Sequence, residues 1–230
     1  MPPGSPAPGK ALLRTEIRIV ARAGALPGLA ATGALAARRT GPDTVHLIGA
    51  AATPLGGDEV EIEVVVESGA RLVLRSVAAT IALPGRHTQF SSARWYFDVA
   101  PGAELDVDPE PTVVAGGAEH RSTTEMRVAA GARVRVRERV QIGRSGEDHG
   151  FWCGDLIADA DARPLIRHRL ELGGSAATDD RLAAPRALCS ELRYPDGRPA
   201  GTTGLAGATL PLAAGGTLST WTGARLPGGI

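Results

Sequence analysis

A carboxylate on the apolar face of a strand must be paired, protonated, or in contact with water or a cation, because burial disfavours its charge. Glu138 holds such a position. It lies in line with Val134, Val136 and Val140, while Arg133, Arg135, Arg137 and Arg139 alternate on the opposite face. Asp58 follows Gly56-Gly57 at the mouth of a second apolar face, formed by Val60, Ile62, Val64 and Val66. Two kinds of chemistry suit Glu138: an ion pair with an inward arginine, or the lining of an internal polar cavity or channel. His168 falls among Ile166, Leu170 and Leu172. It serves there either as a hydrogen-bonded core histidine or as a ligand or relay.

The other reactive side chains do not form a constellation. The five histidines, His46, His87, His120, His149 and His168, show no CxxC or HExxH spacing. His149 and Cys153 share a strand face two pleats apart, which is loose for a common metal. Cys153 and Cys189 read as ordinary half-buried thiols, and no GxSxG elbow is present.

The elements that must position these groups are strands. Thr15, Ile17 and Ile19 continue one face from Leu13, against Arg14, Glu16 and Arg18. Residues 58–67, 133–140 and 165–172 alternate in the same way, the last with Ile166, His168, Leu170 and Leu172 opposite Leu165, Arg167, Arg169 and Glu171. Strict alternation marks half-buried strands. Ala23–Arg38 is rich in alanine but is interrupted by Gly24, Pro27, Gly28 and Gly33. Residues 179–192 have room for a short helix around Pro185. The expectation is an all-β chain with at most two short helices. Val66-Glu-Ser-Gly-Ala-Arg-Leu, Val99-Ala-Pro-Gly-Ala-Glu-Leu and Val128-Ala-Ala-Gly-Ala-Arg-Val repeat one hairpin-like form, and Leu212-Ala-Ala-Gly-Gly-Thr-Leu echoes it. The glycines of the first three copies, Gly69, Gly102 and Gly131, lie 33 and 29 residues apart, and recurrence at this period predicts stacked sheets or a helix-like coil of strands.

Composition narrows the function classes. The 230 residues carry 25 basic and 25 acidic side chains, which argues against bulk electrostatic binding to nucleic acid or anionic membrane. Lys10 is the single lysine, so arginine is almost the only cation. The arginine row 133–139 lacks the aromatic partners that base stacking requires. It reads as a solvated or partner-facing surface, with Glu59, Glu61 and Glu63 as opposing charges. Two cysteines make no disulfide framework. No apolar run is long enough for a membrane span, and residues 1–9 lack the regions of a signal peptide. The expectation is a cytoplasmic protein with a disordered lead-in at 1–9 and a single all-β domain at 10–230.

The order of several segments resembles the urease accessory protein UreD family, also called UreH, in its actinobacterial form. The segments are Arg39-Thr-Gly-Pro, Leu55-Gly-Gly-Asp-Glu-Val, Gly69-Ala-Arg-Leu with Arg75-Ser-Val-Ala-Ala-Thr-Ile-Ala-Leu-Pro-Gly, Asp108-Pro-Glu-Pro-Thr-Val-Val-Ala, Arg137-Glu-Arg-Val-Gln-Ile-Gly-Arg-Ser-Gly-Glu, and Ala162-Arg-Pro-Leu-Ile-Arg. The likeness spans roughly residues 12–222. It implies an all-β helicoid of stacked sheets with two short helices, and a scaffold without catalytic residues. Such a scaffold binds apo-urease and UreF, through which the GTPase UreG brings nickel, in a two-fold accessory complex. The resemblance implies no tightly bound cofactor, only nickel in transit through an internal tunnel. By position it points to Asp58, Glu110, Glu138 and Glu147 as lining of a nickel path, to which His168, inward on its strand, is added as a histidine ligand. It points to Gly56, Gly57, Gly143, Arg144 and Gly146 as structural or partner motif. Asp106-Val-Asp-Pro replaces the family's Trp/Tyr-Leu-Pro element. The competing readings are a β-solenoid enzyme acting on carbohydrate, with Glu138 and Asp58 as acid and base, and a generic β-rich interaction module.

Overall fold

A computed structural model describes residues 13–177, 179 and 184–227. The expected lead-in at 1–9 lies outside the described residues. Among those described, the chain forms strands and no helix.

Five strands lie side by side and parallel in the first sheet: β1 (Arg14–Ala21), β5 (Glu59–Val66), β8 (Phe90–Val99), β11 (Glu119–Val128) and β13 (Phe151–Ala160). Antiparallel strands close its edges, β2 (Gly28–Thr32) beside β1 and β14 (Arg163–Gly173) beside β13. The second sheet has its own parallel series, β4 (Thr44–Gly49), β6 (Arg71–Ser76), β9 (Glu104–Val107) and β12 (Arg133–Ile142). It is flanked by β3 (Leu35–Arg39) on one side and by β15 (Ala187–Tyr194), β18 (Thr217–Gly223), β17 (Gly207–Pro211) and β16 (Gly201–Thr203) on the other. Two short strands, β7 (Thr80–Ala82) and β10 (Thr112–Val114), form a further parallel ladder with the end of β12.

The repeated Gly-Ala turns explain this parallel order. They are corners rather than hairpins: β5, β8 and β11 lie in the first sheet, and β6, β9 and β12, which follow them, lie in the second. Each turn carries the chain from one sheet to the other, so every rung of the coil runs in the same direction. Gly69, Gly102 and Gly131 have φ of 68°, 67° and 72°, which favours glycine. The alanine after each glycine closes the turn by donating its N–H to Glu67, Ala100 or Ala129. Ala70, Ala103 and Ala132 are buried, so the corner has room for a methyl group and little more. The fourth copy, at 212–218, is a true hairpin between β17 and β18. Antiparallel elements thus cap both ends of a parallel coil, as repeat architectures require.

Both arms of each rung bury one face, which makes the core. Val60, Ile62, Val64 and Val66 of β5 pack in one cluster with Leu72 and Leu74 of β6, Leu105 and Val107 of β9, and Val134 and Val136 of β12. Trp152, Leu172, Val140, Ile142 and Leu188 form a second, smaller cluster.

Three local expectations need correction. Ala187–Tyr194 is a strand, because β12 and β18 pair with it on both sides and its alternate residues Leu188, Ser190 and Leu192 turn inward; residues 180–183 lie outside the described ones. Glu61 and Glu63 do not oppose the arginine row. They pair with Arg14 and Arg18 of adjacent β1, at 3.1 and 2.7 Å, on the outer face of the other sheet. Leu165 is buried, because a register shift near Ala158 and Asp159 reverses its facing.

Candidate functional site

The second sheet is interrupted at Glu138. Val107, the last residue of β9, lies opposite Val136, and Thr112, the first of β10, lies opposite Val140. Asp108-Pro109-Glu110-Pro111 joins the two strands with one residue more than β12 uses over the same interval. Two of its four residues lack a backbone N–H, so the ladder stops there. Residues 77–79 make the same detour between β6 and β7. Arg137, Glu138 and Arg139 therefore lack a lateral strand neighbour on this side.

A cavity of about 450 Å³ occupies the space this interruption leaves between the sheets. Its apolar wall includes Val60, Ile62, Trp95 and Val136. Its polar wall is a row on the inner face of β11, His120, Ser122 and Thr124, facing Glu138 from the opposite sheet. Glu138 keeps part of its surface accessible and lines this space. Burial pushes its carboxyl up to about 7, against the opposing effect of a hydrogen bond from Ser122. Glu138 also borders a second space of about 30 Å³, together with Thr124, His168 and Ser190. It stands in the wall between the two.

His120 joins the site although its sequence context did not single it out. It is almost fully buried, and its Nδ1 lies 3.0 Å from Ser91 Oγ. Burial lowers its pKa to about 4, so the ring is neutral at neutral pH. The available signal was its alternation with Ser122, Thr124, Met126 and Val128. Polar residues on both faces of the strand obscured it.

The structure disperses the other candidates. Asp58 is buried in a turn and does not line the cavity. Its Oδ2 accepts hydrogen bonds from the Leu55 N–H at 2.9 Å and the Thr53 hydroxyl at 3.2 Å. Gly56 makes that turn possible: a β-carbon there would fall 1.9 Å from the Thr88 carbonyl oxygen. Gly57, with φ of 100°, donates to the Phe90 carbonyl at 2.7 Å. Glu110 sits at the cavity mouth, with its N–H bonded to Ser76 Oγ at 2.8 Å. Glu147 closes the loop that begins at Gly143 and includes Gly146. Arg144 holds its carboxyl at about 2, aided by the N–H groups of Gly116 and Arg144. His168 lies on the inner face of the edge strand β14, and burial lowers its pKa. His149 is exposed in a loop whereas Cys153 is buried on β13, so these two share no site. Among the described residues no group of three or more His, Cys, Asp or Glu side chains is placed to hold a metal ion.

The arginine row has its own acids. Asp108 receives Arg135 at 3.2 Å and Arg139 at 3.1 Å, with Arg137 at 3.6 Å. Asp106 and Glu191 complete the set around Arg135. These partly buried pairs brace the outer side of the interruption.

Together these features define a coiled, two-sheet all-β protein with a cavity between its sheets, into which Glu138 faces. The profile of the UreD urease accessory protein family matches residues 11–194, and the chain belongs to that family. It is 48% identical over 159 residues to the urease accessory protein UreD of Frankia alni, an alignment covering 66% of this chain and 53% of that one. It is 40% identical over 183 residues to urease accessory protein UreD 1 of Saccharopolyspora erythraea, covering 78% and 72%. The UreD of Streptomyces coelicolor is 38% identical over 173 residues, covering 71% and 68%. The chain thus spans from about half to about seven-tenths of the length of these relatives. Among the described residues no helix is long and apolar enough to cross a membrane.

Proposed function

We propose that this chain acts in urease maturation as a scaffold that binds apo-urease and the accessory proteins UreF and UreG, and that its cavity forms part of the route by which nickel reaches urease. Membership of the UreD family supports the role in maturation. The observation that carries the nickel assignment is Glu138 in the cavity wall. Nickel here is cargo, and the donors fit transit rather than storage. One carboxylate with neighbouring hydroxyls and a neutral imidazole offers oxygen and nitrogen ligands, but too few to hold a divalent ion firmly. A carboxyl poised near 7 exchanges a proton for a cation at neutral pH, and the reverse exchange releases the ion. Glu110 at the mouth supplies a second carboxylate on the way in.

A carbohydrate-hydrolysing site gains no support from the geometry. Asp58 does not line the cavity that Glu138 faces, so the two do not flank a common substrate.

The test is a pull-down from cells co-expressing the chain with the urease subunits and UreF, together with urease activity in a deletion strain. The proposal expects co-purification and, in the deletion strain, urease that is present but poor in nickel. Fully active urease without this chain would refute it.

A further inference from the structure

We infer that Asp58 is a positioning residue that latches a strap across the cavity mouth, so that it controls access to the interior without lining it. Gly49 and Ala51–Pro54 line the cavity, and of these Gly49, Ala51 and Ala52 are also exposed to solvent. A segment that touches the cavity on one side and water on the other is a wall one chain thick. Its side chains are small, and it belongs to no strand beyond Gly49. Between Ala50 and Thr53 no strand pairing holds it. At its start the Ala50 N–H donates to Ala34 at 2.7 Å. At its end Asp58 Oδ2 takes both the Leu55 N–H and the Thr53 hydroxyl.

The residues after the strap are firmly held. Gly56 donates to Leu83 at 2.9 Å and Gly57 to Phe90 at 2.7 Å. Asp58 is thus anchored on the body of the coil while its carboxylate holds the strap. Facing the strap across the mouth is the detour at 76–80, whose Ser76 is pinned to Glu110. Backbone bonds fix Pro54, whose carbonyl accepts the Leu83 N–H at 2.9 Å, and Leu55, whose carbonyl accepts the Asp58 N–H at 2.8 Å; between Ala50 and Pro54 the strap is fastened by the Asp58 side chain through Thr53. Segments with few buried contacts open locally at low free-energy cost, and loss of the latch lowers that cost further.

The inference concerns access and holds whatever the cavity carries, so its test is separate from that of nickel transfer. Ser122 lines the cavity and is buried, which makes Ser122→Cys an interior reporter. Cys189→Ser removes the partly exposed native thiol, and Cys153 is buried. In this full-length background the rate of modification by a small thiol reagent is compared with and without Asp58→Ala, alongside far-UV circular dichroism. The expected result is a rise of about tenfold or more with the β-sheet spectrum unchanged. Thr53→Val, which removes one of the two bonds and leaves the turn, gives a smaller rise in the same direction. It decides the matter if Asp58→Ala does not fold. An unchanged rate in a folded Asp58→Ala protein, or in Thr53→Val when Asp58→Ala does not fold, overturns the inference.

Discussion

Glu138, on β12 of the second sheet, faces Ser122, on the polar row of β11 in the first, across the cavity that both line, and a hydrogen bond from Ser122 favours its charged form. The bond favours the charged carboxylate, burial opposes it, and burial has the larger effect.

A consequence follows for stability and pH. The carboxyl of Glu138 is raised from its ordinary 4.5 to about 7. Between these values the folded state keeps a proton that the unfolded state gives up. Glu138 therefore costs stability as pH rises from 4.5 to 7, by at most about 3 kcal/mol. Glu138→Gln abolishes this loss. Urea denaturation near pH 5 and near pH 8 should show the variant gaining on the parent at the higher pH.

His120 has the opposite sign. Its folded pKa of about 4 lies below the ordinary 6.5, so the unfolded state takes up the proton first. Its contribution is fully present above 6.5 and is lost as pH falls towards 4, by up to about 3 kcal/mol. In His120→Asn that acid-side loss should vanish from the same denaturation series, leaving the slope due to Glu138.

Asp108 gathers three arginines at the interruption of the second sheet. Asp108→Ala removes the acid they share and raises their mutual repulsion, although Arg135 keeps Asp106 and Glu191, and should destabilise the fold by about 2 kcal/mol. High salt screens the repulsion, so the deficit relative to the parent should shrink when the denaturation is repeated in concentrated sodium chloride.

Trp152 folds its ring over Gly154. A β-carbon at 154 would lie 2.1 Å from the ring's Cη2, so Gly154→Ala must displace the indole from the smaller core cluster. Overpacking of this kind costs about 2 kcal/mol. A lower thermal midpoint and an altered near-ultraviolet spectrum from the tryptophans would register it.

Much of the fold was legible because the strands of the coil bury one face. Period-two alternation at 58–67 and 133–140 locates two strands, their inward sides and Glu138 as an inward acid. The Gly-Ala turns were visible as turns. That they join different sheets depends on which strands pair, and local spacing carries no information on partners. Glu61 shows the same limit: its charge was evident, but its partner Arg14 is set by the parallel register of β1 and β5. In the site, His120 was hidden because Ser122 and Thr124 make the inner face of β11 look as polar as its outer face. Asp58 was recognised as inward, but its role depends on the fold of a turn, where it holds Leu55 and Thr53 rather than facing the cavity.

The central claim, that nickel passes Glu138 on its way to urease, is tested most directly by the nickel content of urease matured with Glu138→Gln in place of the parent chain. Gln keeps the shape and folds without the charge. If Glu138 is on the route, urease purified from these cells should carry less nickel by about tenfold, as expected for loss of a metal-contacting group, while the chain still co-purifies with urease. Urease with undiminished nickel, matured by an intact complex containing Glu138→Gln, would contradict it.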